Sequence, residues 1–141
     1  MGTKPFEVIA HTADIAVDVF GRDLAELFVH AAQALYAVTF ENVAIAAGQK
    51  RTLTLDSIDA DALVVDWLNE LIYLLEVEHA VFTECDLLEL ADGHATIECC
   101  GGRLDMSLSR RQREVKAATY HMTRLRRVPT GSRAACAPSA F

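Results

Sequence analysis

Residues 59–78 read DADALVVDWLNELIYLLEVE, the longest segment of unbroken helical periodicity in the chain. Leu63, Trp67, Leu71 and Leu74 recur at three- and four-residue steps, and Val64, Leu68, Ile72 and Leu75 form a second line beside them. Two adjacent apolar lines are wider than a surface helix needs, so this helix is expected to be enclosed over most of its circumference. Its polar remainder, Asp66, Asn69, Glu70 and Tyr73, reads as a solvated face. Ser57 or Asp59 can accept a bond from a free N–H of the first turn, where acids also suit the helix dipole.

On the N-terminal side, Phe6 to Ile9 is apolar enough for a short strand, and after His11-Thr12-Ala13-Asp14 the chain alternates through Ile15, Val17 and Val19. Asp23 stands three residues before Glu26, the spacing of a capping box, and a second helix is expected from there to about Val38. Its core face is Leu24, Leu27, Phe28, Ala31, Leu35 and Val38, with Asp23, Glu26, His30 and Gln33 towards water. Lys50 to Asp56 alternates as a strand entering the helix at 59–78. Beyond that helix, Ala80 to Phe82, Asp86 to Leu90 and Ala95 to Cys100 are strand material, with a hairpin turn at Asp92-Gly93. Gly101-Gly102 is expected to open a flexible loop through Arg113, Glu114 to Met122 to form a strand, and Ser132 to Phe141 to end on a sheet edge, where Pro138 is tolerated. The result is an α+β fold of two helices packed on a mostly antiparallel sheet.

At 141 residues the chain has the length of a single domain, 1–141, able to bury a sizeable core. The start lacks a continuous apolar run, so no signal peptide is expected, and no stretch is long enough to span a bilayer. Cys85, Cys99, Cys100 and Cys136 form no CxxC pair and read as reduced packing residues of a cytoplasmic protein. The net charge of −7 is unevenly spread: residues 1–100 carry 4 basic against 18 acidic side chains, and residues 101–141 carry 9 against 2. The basic last third can neutralise the acidic body or face phosphate.

Nucleotide-cradling glycine loops, HExxH and GxSxG are absent from the sequence, and its five histidines show no i, i+4 pairing. The one stretch that suggests chemistry is His11-Thr12-Ala13-Asp14 between two short strands. Asp14 can close a turn on backbone N–H groups, or project a carboxylate towards a hard cation that takes oxygen ligands. A single carboxylate without a base beside it is poor catalytic equipment, which argues against an enzyme.

Three blocks, His11-Thr12-Ala13-Asp14-Ile15, Val65-Asp66-Trp67-Leu68-Asn69-Glu70-Leu71 and Glu114-Val115-Lys116-Ala117-Ala118-Thr119-Tyr120-His121, stand in the order and spacing of the archease family, which the chain resembles over about residues 5–127. The resemblance implies a small α+β protein related to strand–helix–strand–strand modules. It implies a non-catalytic activator of an RtcB-type RNA ligase, assisting guanylylation and turnover in tRNA splicing or RNA repair and meeting tRNA through the ligase. A chaperone or specificity modulator of a tRNA-modifying methyltransferase is the implied alternative. It further implies a divalent metal, calcium, held by Asp14 and groups at the C-terminus, a functional lysine at Lys116, and a role for His11 in the motif.

The chain departs from that pattern in two places. Ala16 stands where the family usually has glycine, and no Asp or Glu follows Glu114. Matching Pro138 to the proline that often precedes the family's terminal acid puts Ser139 in the acid's place. The implied calcium ligands are then Asp14, Ser139 and Phe141, the last through its carboxylate, and so few charges predict a weak site. Arg110, Arg111, Arg113, Arg124, Arg126, Arg127 and Arg133 offer the chain's main phosphate-seeking surface, but the acidic body repels nucleic acid. The isolated protein is therefore expected to bind tRNA weakly at physiological salt; a filter-binding titration giving submicromolar, salt-dependent affinity would reverse that expectation.

Overall fold

The structure, a computed structural model, describes residues 5–10, 15–91, 93–112, 114–128 and 131–140. Its elements are β1 (Phe6–Ala10), β2 (Ile15–Gly21), α1 (Leu24–Thr39), β3 (Phe40–Asn42), β4 (Ile45–Asp56), α2 (Ala60–Glu78), β5 (Ala80–Ala91), β6 (His94–Leu104), β7 (Arg110–Arg111), β8 (Val115–Val128) and β9 (Gly131–Ala140). All described strand pairs are antiparallel. They form a four-stranded sheet of order β1-β2-β9-β8, a three-stranded sheet β4-β6-β5, and a two-stranded pair β3-β7. Both helices span the two larger sheets: α1 packs on β2 and β5, and α2 on β8, β5 and β4.

The helices begin where their caps dictate. Asp59 accepts the Ala62 N–H at 2.8 Å, and Asp23 accepts that of Glu26 at 2.8 Å. Glu26 returns a bond to the Arg22 N–H at 3.0 Å, one residue earlier than in a regular capping box. α2 ends on His79, whose left-handed backbone (φ 54°) turns its N–H onto the Leu75 carbonyl at 3.0 Å. All eight residues of the two apolar lines of α2 are buried. Of the polar remainder only Tyr73 is exposed; Asp66, Asn69 and Glu70 are half-buried, and Asp66 accepts the Ser57 hydroxyl. Trp67 is wholly enclosed, stacks on Phe28 with centroids 5.6 Å apart, and donates its indole N–H to the Phe28 carbonyl at 2.9 Å.

The strands depart from expectation in instructive ways. The two segments expected at 80–82 and 86–90 are one strand, β5, carried through by irregularities between Phe82 and Glu84 and between Leu87 and Glu89. Gly101 and Gly102 do not open a loop; they lie inside β6. At Gly101 the partner backbone comes so close that an added Cβ would stand 1.9 Å from the Val81 carbonyl oxygen, so glycine here serves packing, not flexibility. The connection shrinks to residues 105–109, where the Asp105 carboxylate accepts from the Ser107 N–H, the Ser107 hydroxyl and the Leu108 N–H. β9 is not an edge strand. It lies between β2 and β8, and its described pairing with β2 runs from Gly21–Ser132 to Val17–Cys136, short of Pro138.

At the far end of the three-stranded sheet, Ala91 pairs with His94 across the expected hairpin turn, with Gly93 at φ 82°. The His94 ring ties three strands together: Nδ1 lies 2.6 Å from Asp56 of β4, and Nε2 lies 3.5 Å from Glu89 of β5. The hydrogen bond to Asp56, reinforced by the charges of Asp56 and Glu89, raises the His94 pKa.

Two outcomes follow from this packing. Trp67→Ala removes the largest enclosed side chain and is expected to cost about 3–5 kcal/mol in chemical denaturation. A loss below about 1 kcal/mol would mean that the helix pair does not depend on the indole. For His94, a raised folded-state pKa adds stability that is full below the unfolded value of about 6.5 and is lost as pH rises through the folded value. NMR titration should show His94 titrating high and Asp56→Asn bringing it down; an ordinary value in the unaltered protein would refute the clamp.

Candidate functional site

The four-stranded sheet brings the start of β2, Ser139 and Lys116 to one end. β2 begins at Ile15, directly after Asp14, and its antiparallel register with β9 points that start towards the C-terminal end of β9. β8 begins at the same end, since Val115 pairs with Ala140 and Ala117 with Ser139. Two steps along β8 therefore match one along β9, and the extra residue is Lys116. A bulge of this kind interrupts the ladder and re-aims a strand locally, and bulges are over-represented beside functional sites. The start of β2, Ser139 and Lys116 thus share one end of the sheet, with the face of β8 covered by α2. His11, Asp14 and Phe141 lie outside the described residues.

The bulge is the feature that sequence reasoning missed. A bulge depends on the register between β8 and β9, and no residue type at 115–117 signals it.

Several charges among the described residues are paired. Arg111 pairs with Glu76 of α2 at 2.9 Å and stacks over Phe40, and Arg110 reaches Glu41 at 3.4 Å. Arg51 of β4 grips Glu78 with both terminal nitrogens, at 2.9 and 2.7 Å, and that hydrogen-bonded partner holds the Glu78 carboxyl below its usual range. Basic residues of the last third therefore do neutralise acids of the body, at least at positions 110 and 111. Three histidines serve the fold: His30 faces the Phe20 carbonyl, His79 caps α2, and His94 clamps the hairpin.

A concavity of about 270 Å³ opens between the end of α2 and the turn at 105–109, with Phe40, Leu104 and Met106 in its lining. Its Arg111 is paired with Glu76, and its Ser109 hydroxyl is engaged by the backbone of Ala44. Among the described residues no group of three or more His, Cys, Asp or Glu side chains could hold a metal ion, and no helix is long and apolar enough to cross a membrane.

Comparison with known proteins agrees with this architecture. The model of the archease protein family matches residues 6–137. Protein archease of Methanosarcina barkeri is 33% identical over 135 residues, covering 93% of this chain and 92% of the relative. Its counterpart in Methanothermobacter thermautotrophicus is 34% identical over 122 residues, 84% and 86% of the two chains. The solution structure of Methanobacterium thermoautotrophicum protein 1598 superposes with a TM-score of 0.71 at 25% identity, over 97% of this chain and 99% of that one. A crystal structure from Thermotoga maritima, described as an archease and possible chaperone, shares the fold at a TM-score of 0.61 and 19% identity, over 99% and 97%. With two helices on antiparallel sheets and matches of this length, the chain belongs to the archease family.

Proposed function

We propose that this protein is a non-catalytic activator of an RtcB-type RNA ligase, acting at the sheet end where β2 starts, β9 finishes and β8 bulges. The observation that carries the proposal is the convergence there of the strand following Asp14 with Ser139 and the bulge residue Lys116. Ligation through a nucleotidylated enzyme builds negative charge on phosphate, which cations neutralise. A carboxylate-held divalent cation, with a lysine on β8 at the same sheet end, is suited to that task. The donor set of Asp14, the Ser139 hydroxyl and main-chain oxygen at Phe141 is all oxygen, which fits calcium in kind. It supplies little charge, which makes the site weak. His11, three residues before Asp14 in the same motif, is assigned with Lys116 to the contact with the ligase. The protein would meet tRNA through the ligase, in the cytoplasm.

A second function, as chaperone or specificity modulator of a tRNA-modifying methyltransferase, is favoured by the description of the Thermotoga maritima relative as a possible chaperone. It needs neither the metal nor Lys116, which separates the two.

In calorimetry, calcium is expected to bind with a dissociation constant of about 10⁻⁴–10⁻³ M, and Asp14→Ala to abolish that binding while the fold persists. In a reconstituted ligase assay on RNA bearing a 2′,3′-cyclic phosphate and a 5′-hydroxyl end, the protein should raise turnover, and Asp14→Ala and Lys116→Ala should remove the gain. Calcium binding that survives Asp14→Ala unchanged would sink the metal assignment. Absence of stimulation, together with protection of a methyltransferase from heat aggregation, would favour the second function.

A further inference from the structure

Cys85 of β5 and Cys99 of β6 stand directly opposite each other in an antiparallel pair. Opposed residues in such a pair have Cα atoms about 4.5–5.5 Å apart, inside the roughly 4.4–6.8 Å that a disulfide spans. Opposed residues of a pair also share one face of the sheet, so the two side chains stand on the same side. Their surroundings differ: Cys99 is fully enclosed in the core, whereas Cys85 is half-buried. The adjacent Cys100 points to the opposite face of the strand and takes no part.

We infer that Cys85 and Cys99 form a dithiol oxidation site, closed to a β5–β6 disulfide by exchange with a low-molecular-weight disulfide. Cys85 is the entry thiol and Cys99 the resolving one. The asymmetry of the pair supports that order. Interaction with Cys99 lowers the Cys85 pKa, whereas interaction with Cys85 and burial push the Cys99 thiol up. Thiolate is the attacking species, so Cys85 reacts first. Its sulfur attacks the small disulfide, expels one thiolate and forms a mixed disulfide. Cys99 gives up its proton and attacks the Cys85 sulfur, expelling the second thiolate. Two protein thiols and one small disulfide become one protein disulfide and two small thiols. The Tyr36 hydroxyl, which accepts the Phe82 N–H at 3.1 Å beside this pair, is held protonated by burial, so it neither competes as a nucleophile nor adds charge.

The test uses the whole folded protein and oxidised glutathione, followed by alkylation, digestion without reduction and mass spectrometry. A single Cys85–Cys99 cross-linked peptide is expected, lacking two hydrogens and restored by dithiothreitol, in the unaltered protein and equally in Cys100→Ser and Cys136→Ser. In Cys99→Ser the glutathione should remain on Cys85; in Cys85→Ser, Cys99 should stay unmodified. The inference fails if glutathione persists on Cys85 of the unaltered protein. It fails equally if both thiols are recovered alkylated, or if the bridge runs to Cys100 or Cys136.

Discussion

A tryptophan in a core brings a large apolar surface together with an N–H that must find an acceptor. Here the acceptor is the Phe28 carbonyl of the other helix, and the Phe28 ring is the surface on which the indole stacks. One residue therefore fixes both the separation and the rotation of α1 against α2. That matters beyond the helices, because each of them touches both larger sheets. Rotating α2 about its axis would lift its apolar lines off β5 and disturb its seat on β8 at once. The sheets have no described strand pairing in common, so the helix pair is what sets one against the other.

The strands answer that arrangement with local irregularity. β5 must run from the enclosed residues Ala80, Val81 and Phe82 to exposed positions near its end, and it takes two breaks in register to do so. The first sits where β6 presents glycine, the residue type with no Cβ to collide with Val81. The acids and bulges of this long strand also discourage pairing with another chain along its edge.

The helices, their caps and the hairpin at Gly93 were legible in the sequence, because each rests on contacts within a few residues. The Asp59 and Asp23 caps follow from spacing, and the wide stripe of α2 announced its enclosure. What escaped depends on partners distant in sequence. Gly101-Gly102 looks like a loop until Val81 is brought against it, and Ser132 onward looks like an edge until β2 and β8 take both its sides. The candidate site divides in the same way. Asp14 draws notice in its motif, but only the resemblance lifts it above a turn-closing aspartate. The bulge at Lys116 is a matter of register between β8 and β9, invisible in either strand alone.

The bulge also explains how a lysine position could be specialised without altering the core. In a regular ladder, a side chain's face follows from its parity, and moving one residue to the other face moves every residue beyond it. An extra residue in β8 breaks that link. Val115 stays buried, pairing with Ala140, and Ala117 resumes the ladder opposite Ser139, so the strand keeps its core contact while one position between them is released from the alternation. Because the same strand is covered by α2, the bulge is supported by a helix whose rotation Trp67 has already fixed. The sheet end thus joins a locally irregular backbone to a strand seated on the helix that carries the enclosed Trp67.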